Sequence, residues 1–127
     1  MAATKRTLLS GIQPSGQSHI GNYFGAMRQF VSMQKEHDCF FMIVDYHALN
    51  TIQNPKVMRE NILNLAADYL AVGLDPKKSV IFKQSDVSEH TELAWIFDTI
   101  TTVPFLERAH AYKDALANKK SDISVGL

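Results

Sequence analysis

Between Gly11 and Asn22 the chain concentrates residue types that hold a polar ligand. Gly11, Gly16 and Gly21 alternate with the amides Gln13, Gln17 and Asn22, the hydroxyls Ser15 and Ser18, and the imidazole of His19. Glycine lets a ligand approach the backbone, and each amide can both donate and accept. Gly11 to Ser18 nearly matches the phosphate-loop pattern G-x-x-x-x-G-K-[ST], but Gln17 stands where the lysine belongs. The charge that would reach the outer phosphates is therefore missing, and the phosphate-loop reading is set aside. The spacing G-x-G-x-x-G is absent as well. His19-Ile20-Gly21-Asn22 falls at a predicted helix start, where an imidazole and an amide would flank exposed backbone N–H groups at the positive end of the helix dipole. That makes an anion-binding corner, in which Gly21 would let a flat base or ribose come close. The same residues would equally serve a turn whose glycines only meet backbone geometry, with His19 on the surface.

The elements around this corner follow from periodicity. Thr7 to Ile12 reads as a buried strand ended by Pro14 and Gly16, feeding an amphipathic helix marked by Tyr23, Met27, Phe30, Val31 and Met33 that closes near Lys35 to Asp38. Cys39 to Val44 is apolar without alternation, as expected of a parallel strand covered on both faces, with Asp45 and His47 at its carboxyl end. Pro55 opens a helix whose buried face is Met58, Ile62, Leu65, Ala66 and Tyr69, stopped by Gly73, Asp75 and Pro76. Ser79 to Phe82 is a third strand. Ser88 is expected to cap a helix with Glu89 in its first turn and a stripe of Leu93, Ile96, Phe97 and Ile100, with Trp95 beside it, read first as core and second as an oligomer interface. Pro104 separates that helix from another ending near Asn118. Strand and helix alternate throughout, which predicts a doubly wound α/β fold: a Rossmann-like parallel sheet with flanking helices, of which three strands make half. In such sheets ligands bind outside the carboxyl ends of the strands.

Composition bounds the partners. The 127 residues, 46% of them hydrophobic, suffice for one domain core, and 13 basic residues balance 13 acidic ones. No net positive field exists to grip a nucleic-acid backbone; Lys113, Lys119 and Lys120 form only a modest cluster that reads as a solvated helix end. The lone Cys39 excludes a disulfide framework and a cysteine zinc site. His37, Cys39, Asp45 and His47 are dismissed as metal ligands because side chains alternate along the strand between them. The longest apolar run is too short to span a bilayer, so a cytoplasmic protein without a membrane partner is expected. Ser124 to Leu127 breaks off without a capped element, which suggests a fragment.

The stretch Gly11 to Ala26 closely resembles the first signature of class I aminoacyl-tRNA synthetases, in the form found in tryptophanyl-tRNA synthetases of bacterial type. Ile43 to Ala48, Tyr69 to Pro76, Phe82 to Ser85 and Leu106 to Arg108 resemble the same family in the same order, so the likeness covers essentially the whole chain. It implies residues 1–127 to be the amino-terminal part of a nucleotide-binding catalytic domain, using ATP with Mg2+, tryptophan and tRNA-Trp, in a homodimer. By similarity Gln13, Pro14, Ser15, Gly21 and Asn22 bind ATP, His19 and Asn22 act in catalysis, and Leu9, Gly11, Val44 and His47 line the amino acid site; no resident metal is implied. His47 can also be read as a strand-end histidine satisfied by backbone. Family members often carry Phe where Leu9 stands and Gln where Tyr46 and Ala111 stand. The later lysine-rich loop of K-M-S-K-S type has no counterpart here, so the chain alone is expected to be a poor enzyme and to self-associate through exposed apolar surface. A noncatalytic nucleotide-binding or scaffold module, and a fragment of a tyrosyl-tRNA synthetase, are the alternatives.

Overall fold

The computed structural model describes residues 5–118; Lys119, Lys120 and the Ser124 to Leu127 ending lie outside the described residues. The chain divides after Asp86 into two units. In the first, three parallel strands, β1 (Thr7–Ile12), β2 (Asp38–Ile43) and β3 (Ser79–Lys83), lie side by side in chain order. Between β1 and β2 run α1 (Ile20–Asn22), a π-helical stretch (Tyr23–Met27) and α2 (Arg28–Met33). Between β2 and β3 run α3 (Asp45–Ala48) and α4 (Pro55–Ala71), and a 3-10 turn, Gln84–Asp86, follows β3.

Strands added in one direction with right-handed crossovers place both connections on the same face of the sheet. The core reflects this. Met27 and Phe30 from the first crossover and Leu65 and Tyr69 from α4 cluster with Cys39, Phe41 and Ile43. Phe30 stacks on Phe41 at 4.5 Å between centroids and meets Tyr69 edge-on at 6.1 Å, both favoured aromatic geometries. The opposite face stays open, and this corrects the expectation that the run Cys39 to Val44 is covered twice. Cys39, Phe41 and Ile43 are buried, whereas Phe40 is exposed, in a row with Leu9 and Val80 set by the strand register. The second winding of a doubly wound fold would cover that row; the strand order never reverses among the described residues.

Local signals explain the long helix. Asn54 Oδ1 accepts from the N–H groups of Lys56 and Val57, Pro55 occupies the first turn, and Gly73 at φ +105° closes the end. Buried Gln34 then holds the turn toward β3, donating to Gly73 O at 2.9 Å and accepting from Asp75 N at 2.9 Å. Three expectations fail locally. Tyr23 stays partly exposed instead of joining the buried stripe, because the π-helical turn widens the period there. Val44 leaves the strand as the residue before α3, although its N–H still bonds Ile12 O at 2.9 Å. Ser88 precedes α5 (Glu89–Ile100) but is itself helical, so its side chain caps nothing.

Tyr69 supplies a pH test of this core. It is fully buried and its hydroxyl donates to Met42 O at 3.3 Å. Burial pushes its phenol far above the ordinary range, outweighing the opposing effect of the Ile12 backbone. Unfolded tyrosine ionises near pH 10, so stability present below about pH 10 is lost as the pH climbs toward the higher folded value. Denaturant titrations should show that alkaline decline, and Tyr69→Phe should flatten it. An equal decline in Tyr69→Phe would exonerate Tyr69.

The second unit holds α5, α6 (Val103–Leu106) and α7 (His110–Ala117). Pro104 lies in the first turn of α6. Leu93, Ile96, Phe97 and Ile100 are all more than half exposed and Trp95 is 71% exposed, so the core reading of this stripe is not met. Of α5, α6 and α7, only Ala115 of α7 is buried. No described helix is long and apolar enough to cross a membrane.

Candidate functional site

His19 is the residue before α1, in extended conformation at φ −120°. Its Nδ1 accepts from Gly21 N–H at 3.0 Å, while Asn22 Oδ1 reaches back to accept from His19 N–H at 3.0 Å. This is a reciprocal capping box with an unusual pair of side chains. It corrects the picture of bare backbone donors, since the Gly21 N–H is taken by the ring and the Asn22 N–H bonds His19 O at 2.9 Å. It also fixes chemistry. With Nδ1 accepting, the ring proton sits on Nε2, and with Oδ1 accepting, Asn22 keeps its NH2 group. The corner thus offers side-chain donors. Gly21 is required for it: a Cβ there would stand 2.8 Å from His19 Cε1 and 2.9 Å from Nδ1. The space a Cβ would need at Gly21 is taken by the imidazole of the same corner. Beside the corner, Ser18, Ile20, Tyr23 and Phe24 help line a recess of about 380 Å3, within the range of small-molecule pockets.

The loop from Gln13 to Gly16 is held from beneath. Pro14 is among the fully buried side chains, and its carbonyl accepts from Asn61 Nδ2 of α4 at 3.1 Å. Ser15 N–H bonds Gln13 O at 2.9 Å, a tight reversal that Gly16 completes at φ +146°, where a side chain would be strained. Gln13 donates through Nε2 to the His47 carbonyl at 3.0 Å. One of its two amide N–H donors is therefore engaged within the protein.

The carboxyl ends of all three strands are joined by side chains. Gln13, just past β1, bonds the backbone of α3; His47 Nδ1 lies 3.3 Å from Gln84 Oε1, just past β3. Asp45, 9% exposed, accepts from both Ser85 N–H, at 3.0 Å, and Ser85 Oγ. Lys83 nearby is engaged by Asp86 at 2.9 Å; that contact raises the lysine and lowers the carboxylate from their ordinary ranges. Both partners are about half exposed, so the pair contributes little stability.

Of the residues named from sequence, the structure brings together His19, Gly21 and Asn22, and separately Gln13 with His47. No hydrogen bond joins the two groups among the described residues. Leu9 and Gly11 share the open face of β1, with Leu9 61% exposed. Gly11 is a packing necessity, because a Cβ there would run into the Met42 carbonyl and approach Val44 Cγ2 to 2.8 Å. Among the described residues no group of three His, Cys, Asp or Glu could hold a metal ion. Reading single residues missed Asn61, Gln84, Ser85 and the anchoring role of Asp45. The third strand read at Ser79 to Phe82, and the likeness of Phe82 to Ser85 to a family segment, are the signals that pointed to this strand end.

Comparison with known proteins places this geometry. The model of the family "tRNA synthetases class I (W and Y)" matches residues 1–127. The chain is 59% identical over 109 residues to the tryptophan–tRNA ligase of Fusobacterium nucleatum, covering 86% of this chain and 34% of that protein. It is 46% identical over 127 residues to the enzyme of Clostridium tetani, covering 100% and 38%. Among solved structures, tryptophanyl-tRNA synthetase from Campylobacter jejuni superposes with a TM-score of 0.86 at 44% identity, over 97% of this chain and 39% of that one. The same enzyme complexed with ADP and tryptophan gives 0.82 at 45% identity, over 95% and 38%. The chain spans about a third of the length of the curated relatives it matches. With its corner motif, parallel sheet and full-length match, the chain belongs to the class I tRNA synthetases of the tryptophan and tyrosine group.

Proposed function

We propose that this chain forms the amino-terminal, ATP-side part of the catalytic domain of a tryptophan–tRNA ligase. The observation that carries the reading is the capped corner, whose His19 Nε2–H and Asn22 NH2 remain available as donors. In the reaction a carboxylate oxygen of tryptophan attacks the α-phosphorus of ATP, and the bond to pyrophosphate breaks as the adenylate forms. A hydroxyl of the terminal adenosine of tRNA-Trp then takes the tryptophanyl group and AMP leaves. No covalent enzyme intermediate is needed; catalysis is positioning and stabilisation of charge on the transferring phosphoryl group. His19 donates to that group and Asn22 to the nucleotide, while Gln13, Pro14 and Ser15 shape the loop over which ATP lies. Leu9, Gly11, Val44 and His47 face the amino acid. Mg2+ arrives with the ATP phosphates and needs no protein cage. The whole enzyme acts as a homodimer in the cytoplasm and contacts tRNA mainly through other regions.

Calorimetric titration of the chain with ATP should give measurable binding that weakens about tenfold or more, near 1.4 kcal/mol, in Asn22→Ala and in Gly21→Ala. An ATP-blind wild type, or variants that bind as tightly as it does, would overturn the site. Pyrophosphate exchange by the longer protein with tryptophan and with tyrosine decides the amino acid.

A further inference from the structure

Gln84 is a buried amide, 7% exposed, one residue beyond β3. Its Oε1 lies 3.3 Å from Nδ1 of His47. A carbonyl oxygen can only accept, so the His47 ring proton is drawn to Nδ1 and Nε2 is left bare. The rest of His47 is held independently: its carbonyl accepts from Gln13, and Asp45 ties the start of α3 to Ser85. His19 is arranged in the opposite sense, with Nδ1 accepting from Gly21 N–H and the proton on Nε2. The two imidazoles named for the site therefore present opposite faces, one a donor and one an acceptor.

We propose that Gln84 is a positioning residue that fixes His47 as the Nδ1–H tautomer, so that Nε2 accepts a hydrogen bond from an N–H group of the amino acid substrate. The substrate half of this statement rests on the synthetase reading; the tautomer does not.

Long-range proton–nitrogen correlation spectra of the chain with 15N-labelled histidine test the tautomer without any ligand. His47 should show a protonated Nδ1 and a bare Nε2, and His19 the reverse. Gln84→Glu keeps an acceptor and should keep the proton on Nδ1, whereas Gln84→Met removes the acceptor and should move the proton largely to Nε2. An Nε2–H signal for His47 in the wild type overturns the proposal, whether or not Gln84→Met folds; so does a folded Gln84→Met whose His47 pattern matches the wild type. Adding tryptophan should then shift the bare Nε2 resonance. Loss of that shift with indole-3-propionate identifies the ammonium as the donor, and loss with 1-methyltryptophan identifies the indole N–H. A correct tautomer with no shift on adding tryptophan refutes the acceptor role, and ATP titration shows separately whether the nucleotide site stands.

Discussion

Asp45→Ala should lower the stability of the chain by at least about 1.5 to 3 kcal/mol, the usual worth of one hydrogen bond to a charged group. Two such bonds are lost, because Asp45 accepts from both the backbone and the hydroxyl of Ser85. Both Ser85 donors would then lack their partner in a partly buried place, which is costlier than removing donor and acceptor together. Loss of this tie also frees the turn after β3, and with it Gln84, from the start of α3. Urea unfolding followed by circular dichroism should show a lower midpoint with an unchanged slope. Asp45→Asn retains one carbonyl oxygen and should fall between the two. A wild-type midpoint for Asp45→Ala would mean that the Asp45–Ser85 tie adds nothing to the stability of the fold.

A larger loss is expected for Phe41→Ala, about 3 to 5 kcal/mol, as for other large aromatic side chains cut back in a core. Phe41 is 0% exposed and stacks on Phe30 at 4.5 Å, so its removal leaves a cavity between the sheet and the first crossover. Domains of this size have only about 5 to 15 kcal/mol in hand. The variant should therefore unfold at markedly lower urea, or be largely unfolded in buffer. Phe40→Ala is the matched control: the same residue type one position earlier, 38% exposed on the open face, and expected to cost much less. Equal losses at the two positions would contradict the one-sided core.

The contrast between Phe40 and Phe41 marks one limit of the sequence. A run of apolar residues without alternation says that a strand is buried but not which side chains are. The burial followed from strand order, since two crossovers in one direction cover a single face. The helix after Pro55 was legible in detail because its periodicity and stop signals are local, and Met58, Leu65 and Tyr69 are buried as the spacing predicts. The stripe from Leu93 to Ile100 departs from its core reading, though not from its interface reading, for the converse reason. Periodicity identifies an apolar face, but whether that face is covered depends on neighbours that the pattern does not name.

At the site, residue types alone point to the class of chemistry: glycines, amides and an imidazole at a strand-to-helix turn, without the lysine of a phosphate loop, in a pattern shared with the class I synthetases. Which atoms remain available depends on the folded chain. Local geometry gave Gly21 a structural reason of its own, since a Cβ there would collide with the His19 ring that caps the helix. Long-range contacts brought Asp45 to Ser85, His47 to Gln84, Gln13 to His47 and Pro14 to Asn61 across separations of 34 to 47 residues. Such pairings are set by parallel strand register and not by spacing along the chain, so they appear only once the sheet has formed.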